Sequence, residues 1–280
     1  MSFRRAFLAF ALGALAPATG WAPAAWAQDG RLIEGGYEIT FAGFSGFRID
    51  FKGSIDGDHY DFENRTFKDG VLKAITMHYE GRNRAWGSFT PQGAHPIGGS
   101  LSLVVGNQAR TWAAQYGAGG RLSEVNNPPW TPAPKDTIPE DKKTGSLDPL
   151  SAALAVGMAD DAACDQVAHT NDGKRRVDVV LNKIRTETPA QAGIPQAKGD
   201  VLVCELYSKR IAGELYDAAP EEAESERAHP MVVWLARLDD TPFRYPAKLE
   251  AKTGFGTIRG KLLNFQARPL TPEEKVAMRR

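Results

Sequence analysis

The 280-residue chain balances 34 Lys and Arg against 34 Asp and Glu, and 42% of it is hydrophobic and 9% aromatic. That is enough apolar material for a real core, and the neutral balance excludes the basic footprint of a nucleic-acid binder. No long basic run is present to hold an anionic membrane surface.

Residues 1–27 read as a secretory signal peptide. Arg4 and Arg5 form the basic start, Phe7–Ala16 is an apolar run too short to span a bilayer, and Ala25-Trp26-Ala27 is an A-x-A cleavage site before Gln28. A retained N-terminal anchor is the alternative. Arg4-Arg5-Ala6-Phe7-Leu8 approaches the twin-arginine export pattern, although Phe3 stands where a small polar residue is usual, which favours the general secretory route. Cleavage would remove two arginines and no acid, leaving 32 basic and 34 acidic residues. The expected location is the periplasm, with no transmembrane segment left after cleavage.

Residues 28–280 read as a single β-rich domain. From Gly35 to Val125 apolar and polar residues alternate, the mark of strands with one buried face. Tyr37, Ile39 and Phe41 form one set, and Phe47, Ile49 and Phe51 the next. Asp56-Gly57 and Asp69-Gly70 are turn signals, the second leading into an expected strand through Val71, Ile75, Met77 and Tyr79. Further strands are expected near 85–90, 100–105, 111–116 and 121–125, as an antiparallel meander.

Residues 126–142 contain five prolines and form an extended crossover inside the domain. The central helix is expected at 147–159. Asp148 is its N-cap and Pro149 its first residue, where no N–H is needed. Leu150, Leu154 and Met158 make an apolar stripe suited to lying on a sheet. A larger role for Asp148 would need a buried partner such as Arg175, Arg176 or Arg237. Strands resume at 174–182, 200–209, 231–238, 243–251 and 257–266, with an acidic loop at 217–229. Thr271-Pro272-Glu273-Glu274 is a capping box that opens a short C-terminal helix.

Two cysteines in an exported domain are most simply a disulfide, Cys164 to Cys204. On β alternation Cys204 shares a face with Leu202 and Leu206, the better candidate for the side buried against the helix. A thiol nucleophile or metal pair is the alternative, without a CxxC spacing to support it. The sequence holds no G-x-S-x-G elbow, H-E-x-x-H pair or phosphate loop, so no catalytic residue, metal ligand or cofactor is assigned. Asp56–Asp61 faintly resembles a calcium loop but lacks its glycine and distal glutamate; a hairpin turn is the simpler reading. Trp86, Trp112 and Trp234, with Trp130, are candidates to line an apolar ligand cleft.

The block Thr144–Ala152, with Cys164, Asp172–Asp178, Cys204, Val233–Arg237, Pro246–Glu250 and Thr253–Ile258, resembles domain-of-unknown-function family 3108, exported bacterial proteins. Tyr37, Gly43, Gly46 and Tyr60 match its opening meander, so the resemblance covers most of residues 35–265. It implies a mainly β fold: a curved antiparallel sheet or partly open β-barrel, with one central helix packed on it and a short C-terminal helix. By analogy this is similar to periplasmic lipoprotein carriers, and no activity comes with it. Two functions follow as expectations. One is an envelope protein whose concave face binds a lipid, an acyl chain or another apolar molecule, or docks an envelope protein. The alternative is an envelope-polymer hydrolase whose carboxylates the fold brings together.

Overall fold

The computed structural model describes residues 30–74, 76–90, 93–117, 120–126, 137–213, 230–254 and 256–278. The leader, Trp130, residues 127–136 of the crossover and the acidic loop lie outside these ranges.

The first seven strands are β1 (Arg31–Phe41), β2 (Phe44–Asp56), β3 (His59–Lys68), β4 (Tyr79–Thr90), β5 (Gly93–Val105), β6 (Gln108–Gly117) and β7 (Arg121–Asn126). The other six are β8 (Val167–Asn171), β9 (Arg176–Glu187), β10 (Ala197–Ala212), β11 (Met231–Leu238), β12 (Arg244–Thr253) and β13 (Gly256–Pro269). They form one sheet in the order β7-β6-β5-β4-β3-β2-β1-β13-β12-β11-β10-β9-β8. The fold is therefore mainly β, an antiparallel meander in two halves that meet where β1 pairs with β13. Strand alternation in the sequence anticipated the halves. The joint between them depends on pairing across more than 200 residues and left no local mark.

The sheet does not close by pairing β7 with β8. The segment Thr144–Leu147 lies between these two edges instead. Gly145 N–H donates to Gly120 O (3.1 Å), and Thr144 bridges to Arg121 of β7. Leu147 N–H donates to His169 O (2.7 Å) on β8, and Leu147 O accepts from Asn171 N–H (2.8 Å). Exposed strand edges invite pairing with other chains, and this strap covers part of both.

The strand expected from Val71 is absent. Gly70, at φ +49°, turns the chain into a 3-10 turn over Gly70–Ala74, and β4 begins only at Tyr79. Asp69 N–H donates to Gly46 O and ties the turn to β2. Val71 and Met77 are exposed, so their spacing never met a buried sheet face.

Among the described residues there are four short helices: α1 (Glu140–Lys143), α2 (Pro149–Met158), α3 (Pro189–Ala192) and α4 (Pro272–Met278). The central helix is α2. Asp148 Oδ1 accepts from the N–H groups of Leu150 and Ser151, each at 3.0 Å. Leu150, Leu154, Ala155 and Met158 pack on the main core, which both halves of the sheet share. Gly157 lets the helix lie against β12, because a Cβ there would fall 2.5 Å from Arg244 O. The helix α3 was not anticipated, although Thr188 and Gln191 form a capping box around Pro189. In α4 the box is as written in the sequence, with Glu274 N–H donating to Thr271 and Thr271 N–H to Glu274.

The disulfide joins the 3-10 turn Asp160–Asp165 to β10, with Cα atoms 5.3 Å apart. Cys164, Cys204, Ala163, Leu181, Leu202, Val233 and Leu235 form a second, smaller core. The opposite face of β10 is buried as well, since Val201 and Val203 belong to the main core. The sequence pointed to the Leu202–Cys204 face as the one buried against the helix; that face is buried against the 3-10 turn after α2 instead, and it is the Val201–Val203 face that joins the main core on which α2 packs. A strand buried on both sides reads as a continuous apolar run, as Val201–Cys204 does.

Asp148 is more deeply buried than a simple cap requires, at 2% exposure, and its Oδ2 has no hydrogen-bond partner. None of the three expected arginines reaches it. Arg175 pairs with Asp172, Arg176 with Asp178, and Arg237 with Asp160 and Asp161. Burial raises the Asp148 carboxyl above its ordinary value of 3.8, against the lowering effect of its bonds to Ser151 and Leu150. The native state thus holds this proton more tightly than the unfolded chain. Stability is lost as pH rises from about 3.8 through the folded value. Asp148→Ala should cost about 2 kcal/mol through two lost cap bonds. Asp148→Asn keeps the acceptor and removes the charge. Its stability relative to the native protein should increase from pH 4 to pH 7 in urea unfolding. A relative stability that falls over that range would reverse the assignment.

Candidate functional site

An apolar cavity of about 270 Å³ lies between α2 and strands β1, β2, β3 and β12. Alternation sets its walls. Tyr37 and Ile39 of β1 pair across with Ile49 and Phe47 of β2, and Tyr37, Ile39, Ile49 and Phe51 line one side. Leu150, Ala153, Leu154 and Gly157 of α2 form the second side, and Tyr245, Pro246 and Leu249 of β12 the third. The helix fills only part of the concave space because its small residues Ala153 and Gly157 stand beside the leucines. Burial pushes the Tyr37 and Tyr245 phenols up, so both stay neutral.

A second cavity of about 520 Å³ opens on the outer face of β2 to β6, between the outward-facing Asp50, Arg65 and Arg82 on one side and Lys52, Glu63 and Arg84 on the other; it shares Phe51, Glu63 and Asn64 with the first across the sheet. Its floor is one row across the strands. Phe51 pairs with Asn64, Asn64 with Asn83, Asn83 with Leu101, and Leu101 with Trp112. Cross-strand partners point to the same face, so these five side chains share the interior. The neighbouring charged residues alternate to the outside, where Arg84 pairs with Asp61, and Arg65 and Arg82 with Glu80. On the interior row Asn83 Nδ2 donates to Asn64 Oδ1 at 3.0 Å.

The family model described as "Protein of unknown function (DUF3108)" matches residues 36–263. The chain belongs to the DUF3108 family. No curated protein matches the sequence. Among solved structures, the DUF3108 chain is similar to the beta-barrel-like protein of domain of unknown function DUF1849 from Brucella abortus. The two are 14% identical, the match covers 85% of this chain and 97% of that one, and the TM-score is 0.44.

The DUF3108 fold does not bring the three candidate tryptophans into one cleft. Trp86 lies on the outer face, where its ring covers Gly98 and the Arg84 guanidinium sits 5.4 Å from its centre. Trp112 is interior and packed with Ala114 and Leu122. Trp234 belongs to the other half of the sheet. Its Nε1–H donates to Glu187 (3.0 Å), and Lys248 Nζ lies 4.2 Å above its ring. Tryptophan content alone could not separate these three environments, because period-two alternation was not combined with strand register.

Carboxylates that the fold draws together are held by arginines. Asp160 and Asp161 both engage Arg244 and Arg237. Arg244 is buried, and its guanidinium beside Asp161 holds that carboxyl below its usual range. His169 and Arg176 flank Asp178. Among the described residues no three His, Cys, Asp or Glu side chains converge on a metal position. Among those same residues no helix is long and apolar enough to cross a membrane.

Sequence reasoning missed the Asn64–Asn83 pair. The signal was a polar residue on each of two otherwise apolar faces, Tyr60-Phe62-Asn64 in β3 and Asn83-Ala85 in β4.

Proposed function

We propose that this protein is exported to the periplasm and holds the apolar chain of a lipid-like molecule beside α2. The observation that carries the reading is the 270 Å³ cavity, walled by aliphatic and aromatic side chains on three sides. Concave, mostly apolar pockets with few polar groups are the usual form of small-molecule sites. The leader-like first 27 residues and the paired cysteines support an oxidising compartment. The ion-paired acids leave the polymer-hydrolase alternative without a free carboxylate pair in the cavity.

Protein purified from a periplasmic fraction, with its N-terminus within a residue or two of Gln28, should release an apolar molecule on solvent extraction. Ala153→Trp places an indole where Ala153 lines the cavity and should abolish that release. Its melting temperature should stay within a few degrees, since Ala153 is exposed to the cavity rather than packed. Equal ligand recovery from the tryptophan variant would reject the site. A full-length cytoplasmic product would reject the export reading.

A further inference from the structure

We propose that the protein docks on an anionic lipid surface through one end of its sheet, with Phe41, Phe44, Val71 and Met77 inserted among the lipids. These four make up half of the eight large hydrophobic residues exposed among the described residues. The other four, Ile97, Val167, Ile184 and Leu263, lie singly on different strands. Phe41 and Phe44 flank the tip between β1 and β2, and Val71 and Met77 belong to the connection between β3 and β4. The two tips touch. Asp69 N–H donates to Gly46 O at 2.7 Å, and Leu72 packs on Gly46, where a Cβ would lie 3.2 Å from its Cδ1. Met77 rests beside the β5–β6 turn, its Cγ 3.7 Å from where a Cβ on Gly106 would stand. Single exposed apolar residues are ordinary, whereas a cluster on adjoining tips marks an interaction surface.

Charge, area and continuity with the apolar cavity favour lipid as the partner. Residues 41–47, 68–78 and 251–257 carry three lysines, Lys68, Lys73 and Lys252, and one acid, Asp69. Lys68 Nζ donates to Met77 O at 2.6 Å, which sets its charge at the base of the apolar cluster. A chain without net charge thus places an excess of cations around four apolar side chains, an arrangement suited to the phosphates of anionic lipids. At ordinary side-chain areas the four expose on the order of 400 Å², half of the roughly 800 Å² per partner that a stable protein interface covers. The cavity leads to the same end. Ile39 of β1 and Leu249 of β12 line it, and both pair with Gly260 of β13. Two residues further along each strand, on the same face, come Phe41, Ala251 and Ile258, with Phe44 opposite Phe41. A lipid chain that moves between membrane and cavity therefore stays on apolar side chains. That use of the docked end rests on the apolar-chain reading above; the docking itself does not.

The test floats the mature chain with vesicles of phosphatidylcholine mixed with phosphatidylglycerol, and with vesicles of phosphatidylcholine alone. At low salt the mixed vesicles should bind about tenfold tighter, an advantage that high salt removes. Phe41→Ser combined with Phe44→Ser should weaken binding to the mixed vesicles about tenfold or more. Its melting temperature should stay within a few degrees, since both side chains are exposed. Ile97→Ser combined with Leu263→Ser, exposed elsewhere, should bind as the native chain does. Val71→Ser combined with Met77→Ser serves where the phenylalanine variant fails to fold, with the same loss expected. Native-like flotation of the serine variants overturns the proposal, as does equal binding to both kinds of vesicle. A chain that binds neither vesicle but forms a dimer, which the phenylalanine changes dissociate, gives the patch to a second copy and overturns it too. Vesicle binding by a chain that yields no apolar molecule on extraction supports the docking and defeats the apolar-chain reading. An extracted ligand from a chain that binds no vesicle overturns the docking and leaves that reading standing.

Discussion

Replacing Gly173 by alanine should destabilise the protein by about 4 kcal/mol, and the loss should shrink sharply when Trp112 is removed as well. Gly173 sits at φ +81° in the turn between β8 and β9, and a Cβ there would lie 1.9 Å from Trp112 Cδ1 on β6. Two costs combine. A left-handed backbone costs a non-glycine residue about 1–3 kcal/mol, and overpacking a filled site about 1–3 more. The turn cannot swing away easily. Asn171 accepts from Gly173 N–H at 2.8 Å, and Asp172 accepts from Lys174 and Arg175 N–H. Trp112→Ala by itself should cost about 3–5 kcal/mol, because the indole is 2% exposed and its removal leaves a void. In the double variant the new methyl has room, so the pair should be less destabilising than the sum by 1 kcal/mol or more. This cycle tests whether the two ends of the meander touch in solution. Strict additivity in urea unfolding would mean that the β8–β9 turn does not pack on β6.

Loss of the disulfide should have a similar effect by a different route. Cys164 and Cys204 are fully buried and close a loop of 40 residues. The chain-entropy relation gives about 4 kcal/mol for such a loop. In a domain of this size that corresponds to a melting temperature lower by about 10 °C. Alanine at both positions is the better variant, since serine would leave two hydroxyls in an apolar core. The effect on ligand binding should be small. The bond lies on the face of β10 that packs against the 3-10 turn, and the cavity lies across the sheet beside α2. Unfolding midpoints should therefore fall while affinity for an apolar probe stays within about twofold. A double-alanine variant as stable as the native protein would remove the bond from the stability account.

Both effects have one origin. A single sheet of thirteen strands whose edges do not pair needs other devices to hold its shape. The strap Thr144–Leu147 lies between the edges, the β8–β9 turn packs on Trp112, and the disulfide fixes the turn that follows α2. The chain leads directly from the strap into the Asp148 cap, so seam and helix are parts of one segment. The cavity beside α2 depends on where that segment places the helix.

Much of this protein was written locally. Alternation placed β1, β2 and β9 to β13, because a half-buried strand needs an apolar residue at every second position. Asp148-Pro149 and Thr271-Pro272 marked their helices, because the cap geometry involves only neighbouring residues. Alternation misled at Val71, where a positive-φ glycine turned the chain before a strand could form. Tertiary structure decided everything that joins distant residues. It paired β1 with β13, buried both faces of β10, sent Trp86 outside and Trp234 to the other half, and set Asn64 opposite Asn83. The reason is register. A strand's own pattern states which residues share a face but not which residues of other strands lie beside them, and a shift of one position exchanges the two faces.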